Sequence, residues 1–304
     1  MATVIVFNQY GGPDVLEPVE VADPLPGPRQ VRIAVKAAGV QPFDCATRRG
    51  DFANYVPLSF PARLGNEVAG IIDALGPDVS GAREGDEVIA FIKMEGYADT
   101  VIVAADQVAA KPVAMPWDQA GVMSASGQTA CSALDALAVA PGETLLIHAA
   151  AGGVGSFAVQ IARSRGAVVI GTASPRNHDY LRSLGAIPVT YGPGLAGRVR
   201  EAAPQGVDAV LDAIGGEALD VSVELLGATE RIVTIADWAA AARLGVRRVG
   251  TRRSAGKLEG LTRLYADGLL TVPVFKAFPL AQVADAHREV ETGHVRGKVV
   301  LNVG

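Results

Sequence analysis

The sequence predicts an α/β fold that combines a β-rich domain with a doubly wound parallel sheet. Three observations carry this prediction. Short alternating or β-branched runs fill the first third of the chain, strands and helices alternate in the middle, and strand character returns at the C-terminus. With 304 residues, the chain suits two domains better than one small core.

The composition excludes several classes of protein. A hydrophobic content of 49% with 19% charged residues favours a folded chain over a disordered one. The net charge of -5 offers nucleic acid no obvious surface. The densest basic patch, formed by Arg247, Arg248, Arg252 and Arg253, is expected to be a solvated face or a subunit edge.

Cysteine usage and the absence of targeting signals favour the cytoplasm. The only two cysteines, Cys45 and Cys131, exclude a disulfide framework and suit a reducing compartment. The run Met1–Val6 lacks the basic and then apolar order of a signal peptide. No apolar run reaches the roughly 18 residues of a membrane span.

Residues 1–115 are predicted to form the β-rich domain, with no sustained helical period. Glycine and proline turns separate five predicted strands, namely Val4–Phe7, Val31–Val35, Val68–Ala74, Glu87–Ile92 and Thr100–Val103.

Residues 116–274 are predicted to form the parallel-sheet domain. Small apolar residues from Asp118 to Leu137 favour one or two helices. Predicted strands then alternate with helices such as Val154–Arg165 and Asn177–Leu184, which implies right-handed crossovers. The predicted strands are Thr144–His148, Val168–Thr172, Ile187–Thr190, Val207–Asp212 and Arg231–Ile235.

The C-terminal segment, residues 275–304, contains a predicted helix at Ala281–Glu291 and a predicted strand at Val299–Val303. This strand could pair with the β-rich domain, which would make that domain discontinuous in sequence.

A glycine-rich turn, Ala150-Ala151-Gly152-Gly153-Val154-Gly155, lies between the first predicted strand of the alternating region and its helix. Backbone N–H groups and the helix dipole favour a dinucleotide pyrophosphate at such a helix N-terminus. Gly152 permits close backbone approach and Gly155 close helix packing, while Ala150 replaces the usual first glycine. The alternative is an ordinary strand–helix turn in another α/β protein.

The end of the next strand favours NADPH over NADH. NAD sites carry Asp or Glu there to bind the ribose 2′-hydroxyl, but no carboxylate occurs here before Asp179. Ser174 can donate to a 2′-phosphate, and Arg176 can pair with it. The alternative is that Arg176 is simply a residue in the first turn of a helix and binds no phosphate.

Taken in combination and in order, several segments resemble the medium-chain dehydrogenase/reductase superfamily, and within it the zinc-independent quinone oxidoreductase branch. Besides the turn at 149–155, they are Ala38-Gly39-Val40-Gln41-Pro42-Phe43-Asp44, Gly65-Asn66-Glu67-Val68-Ala69-Gly70, Gly85-Asp86-Glu87-Val88, Gly96-Tyr97-Ala98-Asp99, Asp208-Ala209-Val210-Leu211-Asp212-Ala213-Ile214-Gly215-Gly216 and Gly293-His294-Val295-Arg296-Gly297-Lys298-Val299-Val300-Leu301.

The resemblance implies a GroES-like catalytic domain of residues 1–115 and 275–304 and a Rossmann NADPH-binding domain of residues 116–274. It also implies a homodimer joined through the Rossmann sheets. Gln41 and Asn66 stand where zinc-dependent relatives carry a Cys and a His, and the four-cysteine lobe for structural zinc is missing. We therefore expect no metal.

Without a Lewis acid, reduction of an activated acceptor is more plausible than alcohol oxidation. A quinone or an α,β-unsaturated carbonyl accepts hydride at carbon and moves charge onto oxygen, where hydrogen-bond donors stabilise it. Gln41 could donate its amide to that oxygen. Asp44 could position Gln41 or a cofactor hydroxyl, or serve only as a local cap, and Tyr55 could donate a proton or simply pack.

The resemblance also indicates further cofactor contacts. Thr129 is expected near the nicotinamide, Tyr191 near the phosphates, Lys298 at the cofactor, and Ile235 beside the nicotinamide through its backbone. Each side chain could instead be structural.

Two other functions stay open at this point. The same alkene chemistry would serve an enoyl-thioester reductase of fatty-acid or polyketide type. The chain could also be a non-catalytic binding protein that responds to NADPH.

Overall fold

The computed structural model describes residues 1–55 and 57–304. The strands are β1 Ala2–Phe7, β2 Glu17–Val21, β3 Gln30–Val40, β4 Ala62–Arg63, β5 Glu67–Leu75, β6 Glu87–Phe91, β7 Thr100–Ala104, β8 Val108–Ala110, β9 Thr144–Ile147, β10 Val168–Ala173, β11 Ile187–Thr190, β12 Ala209–Asp212, β13 Ile232–Thr234, β14 Arg247–Arg248, β15 Val274–Pro279 and β16 Lys298–Asn302. The helices are α1 Pro42–Arg49, α2 Trp117–Ala120, α3 Ser124–Leu137, α4 Gly153–Ser164, α5 His178–Ser183, α6 Leu195–Ala202, α7 Glu217–Leu226, α8 Trp238–Leu244, α9 Ala255–Ala266 and α10 Val283–Glu291.

The chain folds into two compact units. The first contains Met1–Ala125, Arg253–Ala266 and Val272–Gly304, and the second contains Ser126–Arg252 and Asp267–Thr271. Residues 116–125, 253–266 and 272–274, which the sequence pattern assigns to the parallel-sheet domain, therefore lie in the first unit. Among residues 1–55 and 57–304, none of the helices combines the length and the apolar character of a membrane-spanning segment.

The first unit is built on two β-sheets. One sheet has the strand order β15-β16-β3-β5-β6-β8, with β7 also paired to β3, and the other has the order β2-β1-β4. Alternate residues of these strands, such as Val31, Ile33 and Val35 on β3, point into a common apolar core.

The C-terminal strand completes the first sheet. β16 pairs antiparallel with β3, placing Val299 opposite Val40 and Leu301 opposite Ala38, and parallel with β15. The prediction that the tail pairs with the β-rich domain is therefore confirmed, and that domain is discontinuous in sequence.

The second unit contains a parallel sheet with the order β11-β10-β9-β12-β13-β14. Each neighbouring pair in this sheet is parallel, as the strand–helix alternation predicts. The order reverses between β9 and β12, and ligands of doubly wound sheets bind outside the carboxyl ends of the strands at such a point.

Residues 1–115 contain a helix, α1, although their sequence shows no sustained helical period. Helix α1 begins directly after Gln41, and Pro42 occupies its first position. The Asp44 carboxylate accepts a hydrogen bond from the Gln41 backbone N–H at 2.9 Å, which stabilises the N-terminus. Eight residues are too few to show a sustained apolar period, although proline at the start is a recognisable local signal.

The basic patch is only partly a solvated face. Arg247 and Arg248 form the exposed edge strand β14, and Arg252 is exposed as expected. Arg253 departs from the prediction, because its guanidinium donates to the carbonyl oxygens of Asn66 at 3.2 Å and Ile92 at 2.7 Å. Burial lowers the pKa of this arginine.

The position of β16 inside the sheet gives a stability prediction. Leu301 is fully buried on this strand, whereas the adjacent Asn302 is exposed. Leu301→Ala should lower the free energy of unfolding of the first unit by about 2–5 kcal/mol, because it leaves a cavity in the core. Asn302→Ala should stay within about 0.5 kcal/mol of wild type.

Urea unfolding can be followed for the first unit alone through Trp117, in a Trp238→Phe background that removes the other tryptophan. Equal midpoints for the Leu301 and Asn302 variants would contradict the assignment of β16 as a core strand.

Candidate functional site

Most of the predicted nucleotide-binding residues lie along one edge of the parallel sheet. The glycine-rich turn follows β9, Ser174 follows β10, Tyr191 follows β11 and Ile235 follows β13. Because these strands are parallel neighbours, their carboxyl ends share an edge. Thr129 is not on this edge; it lies on α3, and its Oγ1 is 2.7 Å from that of Thr251.

Hydrogen bonds hold the glycine-rich turn against β10. The backbone N–H of Ala150 donates to the carbonyl oxygen of Thr172 at 3.0 Å, and that of Ala149 donates to the Thr172 hydroxyl at 3.2 Å. Ala149, with φ of 53°, is the residue of this turn that adopts the left-handed conformation. Ala150 therefore replaces the usual glycine at a position where its Cβ is tolerated and buried.

Helix α4 begins at Gly153 directly after this turn. Its N-cap, Gly152, has no side chain to cap the helix, and the N–H groups of the first turn have no acceptor inside the helix. A Cβ on Gly155 would lie 2.6 Å from the Ala150 Cα, so glycine is required for this close approach. The N–H groups of this first turn and the dipole of α4 can hold a phosphate.

The end of β10 carries a cation without a paired acid. Arg176 is exposed, and within the described ranges no carboxylate forms an ion pair with it. The nearest acid in sequence, Asp179, pairs with Arg182 at 2.6 Å. Ser174 is half-buried and accepts a long hydrogen bond of 3.5 Å from Asn177. These residues can receive an additional phosphate.

Tyr191 and Ile235 differ in burial. The Tyr191 side chain is 57% exposed, while its carbonyl oxygen accepts a hydrogen bond from Arg198 at 3.3 Å. Ile235 is half-buried and its N–H donates to the Asp212 carbonyl oxygen at 3.1 Å.

A buried polar network that sequence reasoning missed lies beneath this edge. The Asp212 carboxylate accepts from the Gly215 N–H at 2.9 Å and from the Thr234 hydroxyl at 2.5 Å. His148 contacts the hydroxyls of Thr172 at 3.3 Å and Ser222 at 3.0 Å. Burial lowers the pKa of His148 from 6.5 to about 4, so this imidazole is neutral.

A second cluster of buried polar groups lies in the first unit, centred on Glu67. This residue is fully buried, and Oε1 of its carboxylate accepts a hydrogen bond from Gln41 Nε2 and lies 3.1 Å from Lys298 Nζ. Oε2 accepts from the Ala125 N–H at 2.6 Å. Lys298 also donates to Gln41 Oε1. Glu67 was not predicted as a site residue, although a charge inside an apolar strand is an informative signal.

Asp44 is fully enclosed beside this cluster. Besides the Gln41 N–H, its carboxylate accepts from the Asn66 amide at 2.8 Å and the Tyr97 hydroxyl at 2.9 Å. Burial raises the pKa of Asp44 to about 6, against the opposing effects of these hydrogen bonds and the Lys298 charge. Asp44 positions the Gln41 backbone and caps α1.

Tyr55 and Cys45 have contrasting surroundings. Tyr55 does not join the Glu67 cluster. Its side chain is 74% exposed, and its backbone N–H donates to the carbonyl oxygen of Phe52 in a local turn. Cys45 is buried, and burial raises the pKa of its thiol to about 12. Cys45 is thus a packed, unreactive residue.

No three His, Cys, Asp or Glu side chains among residues 1–55 and 57–304 are grouped so that they could hold a metal ion. Gln41 and Asn66 stand where zinc-dependent relatives carry ligands. Here the Gln41 amide donates to Glu67, and the Asn66 amide donates to Asp44.

Two family models match the chain. Residues 27–134 match the model described as "Alcohol dehydrogenase GroES-like domain", and residues 184–301 match the one described as "Zinc-binding dehydrogenase".

Two kinds of relative are similar in sequence. Quinone oxidoreductase from Salmonella typhimurium is 35% identical over 232 residues, which are 74% of this chain and 70% of that protein. Polyketide synthase GfsB from Streptomyces halstedii is 36% identical over 289 residues, which are 90% of this chain. The chain spans only 5% of that synthase's length.

Solved structures agree with the fold over the full chain. The quinone oxidoreductase from Coxiella burnetii is 32% identical with a TM-score of 0.87, covering 100% of this chain and 99% of that one. The CurK enoyl reductase is 28% identical with a TM-score of 0.89 and the same coverage. The expected combination of a GroES-like domain and a Rossmann sheet is confirmed.

The depressed pKa of His148 gives a prediction about stability. As the pH falls from about 6.5 to about 4, the unfolded chain binds a proton at this residue while the folded chain does not. The second unit should therefore lose roughly 3 kcal/mol of unfolding free energy over this window, at about 1.4 kcal/mol per pKa unit.

The His148→Gln variant lacks this titration and should show a shallower decline in stability with acid. The measurement is the midpoint of urea unfolding at a series of pH values from about 7 to about 4, which span the two pKa values of His148. It is read through Trp238 in a Trp117→Phe background. Identical pH slopes for both proteins would show that His148 is not buried as a neutral imidazole.

Proposed function

Because the chain belongs to the medium-chain dehydrogenase/reductase superfamily, in its zinc-independent quinone oxidoreductase branch, we propose that it reduces a quinone or an α,β-unsaturated carbonyl with NADPH. The family makes the chain an oxidoreductase that uses a nicotinamide cofactor. When bound, that cofactor supplies the hydride.

The residues that follow β10 support the proposal of NADPH rather than NADH. Arg176 is exposed and has no carboxylate partner in the described part of the chain, while Asp179 is neutralised by Arg182. A guanidinium without an acid partner favours a 2′-phosphate, whereas a site selective for NAD needs an acid to bind the 2′-hydroxyl. The adjacent Ser174 hydroxyl supplies a further donor.

Most of the remaining proposed cofactor contacts follow the sheet edge. The N–H groups of Gly153, Val154 and Gly155 would receive the pyrophosphate together with the Ala151–Gly152 backbone. Tyr191 and Ile235 flank the same edge, and Thr129 and Lys298 complete the proposed set.

The acceptor carbonyl is proposed to meet the amide of Gln41. Hydride addition moves an electron pair onto the carbonyl oxygen, and an N–H donor stabilises that charge. Asp44 positions Gln41, because its carboxylate accepts a hydrogen bond from the backbone N–H of Gln41. Tyr55, which is largely exposed, stays a candidate for proton donation.

A second candidate function is reduction of an enoyl thioester. The similarity to polyketide synthases, at 36% identity over 90% of this chain, favours it specifically. The chemistry is the same, since an electron-poor alkene accepts hydride at its β-carbon. The protein is further proposed to be a cytoplasmic homodimer that binds a small molecule and neither nucleic acid nor a membrane.

Acceptor assays separate these functions. Purified protein should oxidise NADPH with a quinone or a simple enone faster than with a crotonyl thioester. Faster turnover of the thioester would favour the enoyl-thioester function. Tight NADPH binding without turnover of any acceptor would contradict both functions and favour a non-catalytic NADPH-responsive protein.

The cofactor choice gives a separate prediction. Arg176→Ala should raise KM for NADPH by roughly ten- to a hundredfold, because it removes a charge-assisted hydrogen bond of about 1.5–3 kcal/mol. KM for NADH should hardly change, since NADH lacks the 2′-phosphate.

Arg200→Ala is a matched control, because Arg200 is an exposed arginine of the same unit that pairs with Glu224. Steady-state kinetics with both nucleotides give the comparison. An equal rise in KM for NADPH and NADH in the Arg176 variant would exclude recognition of the 2′-phosphate.

A further inference from the structure

Glu67 and Lys298 hold the side-chain amide of Gln41 from both ends. The carboxylate of Glu67 accepts from Gln41 Nε2, and the ammonium of Lys298 donates to Gln41 Oε1. Lys298 and Glu67 are 3% and 0% exposed, so this ion pair is almost wholly removed from water. The three side chains form a closed triangle within the first unit, which we call the amide clamp.

The two charges determine which way the amide faces. A carboxylate accepts hydrogen bonds only from the NH2 end, and an ammonium donates only to the oxygen end. A flipped Gln41 would place its oxygen against the carboxylate and its NH2 against the ammonium. The clamp therefore allows one orientation of the amide.

The surrounding backbone is built to accept Glu67. A Cβ on Gly39 of β3 would overlap the Glu67 carboxylate, so glycine at this position makes room for it. The N–H of Ala125 in the first turn of α3 fixes the second carboxylate oxygen at 2.6 Å. Glu67 thus has a single placement, with both oxygens bonded.

This orientation of the Gln41 amide leaves one of its two Nε2 N–H groups available as a hydrogen-bond donor. Nε2 of Gln41 carries two N–H groups, and within residues 1–55 and 57–304 only the contact with Glu67 uses one of them. Hydrogen bonding of Oε1 to the ammonium withdraws electrons from the amide, which makes the remaining N–H a stronger donor.

We infer that Glu67 and Lys298 position and polarise Gln41, so that its second Nε2–H stabilises the negative charge formed on the acceptor oxygen. This inference rests on the proposed reductase function. The hydride of NADPH forms the new C–H bond at the acceptor carbon, and the displaced π electrons move to the carbonyl oxygen. The N–H stabilises this oxyanion without transferring its proton, and water then supplies the proton of the product. Glu67 is a positioning residue for Gln41.

The clamp can be tested without turnover. In protein labelled with ¹⁵N at glutamine, the Nε2 proton of Gln41 that faces Glu67 should be shifted well downfield of its partner and should exchange slowly with solvent, because it is hydrogen-bonded to a buried carboxylate. Glu67→Gln and Lys298→Met should each bring the two shifts together and speed exchange. Glu87→Gln, which alters a carboxylate of the same unit that pairs with Lys111, should leave the Gln41 signals unchanged.

Unchanged Gln41 signals in both clamp variants would overturn the inference, whether or not the protein reduces any acceptor. Urea midpoints read through Trp117 verify that each variant is folded.

The catalytic half of the inference is tested by kinetics. Glu67→Gln should lower kcat by at least about tenfold, because it misplaces an oxyanion donor. The loss should be larger with weakly activated enones than with electron-poor quinones, whose oxyanion needs less stabilisation. Equal losses with all acceptors would indicate a general structural defect and overturn the positioning role.

A charge swap supplies the sharpest control. The double variant Gln41→Glu with Glu67→Gln keeps the number of charges and the atoms of the triangle, but it removes the amide from position 41. The inference expects kcat to stay low in this variant. Recovery of wild-type kcat would show that only the ion pair matters. Failure of wild-type protein to reduce any acceptor would instead refute the proposed function, and the amide signals would then decide the clamp alone.

Discussion

The buried carboxylate of Glu67 is the constraint on which the first unit's site depends. Removing a carboxylate from water costs several kcal/mol unless a cation and hydrogen bonds compensate it. Here the compensation comes from separate elements: the residue before α1, the first turn of α3 and the start of β16. Well-packed apolar residues would often be equally stable in such a place, so stability alone does not account for these charges, which is consistent with the positioning role inferred above.

The second unit satisfies a different constraint, that of backbone groups left unpaired at the edge of a parallel sheet. The turn after β9 is tied to Thr172, and the loops after β12 and β13 are tied to Asp212 and Thr234. These bonds hold the loops in place, while the first turn of α4 keeps its N–H groups available. The unit can therefore bind phosphate through backbone that is already ordered.

The second unit was the more predictable from sequence, because its signals are local. Strand–helix alternation and the glycine turn follow from neighbouring residues, and the sheet confirms them. Helix α1 was missed because eight residues show no sustained period. Arg253 was misassigned because its neighbours are exposed and its carbonyl partners, Asn66 and Ile92, are far away in sequence. Gln41 was found by resemblance, but its partner Lys298 is 257 residues away, so no local pattern could reveal the clamp.

A crystal structure with NADPH and a non-reducible acceptor analogue tests the central claim most directly. The account predicts Nε2 of Gln41 at about 2.9 Å from the carbonyl oxygen of the analogue. The contacts of Gln41 with Glu67 and Lys298 should be kept, and Arg176 should lie against the 2′-phosphate. A carbonyl oxygen bound by another donor, with Gln41 turned away from Glu67, would contradict the account.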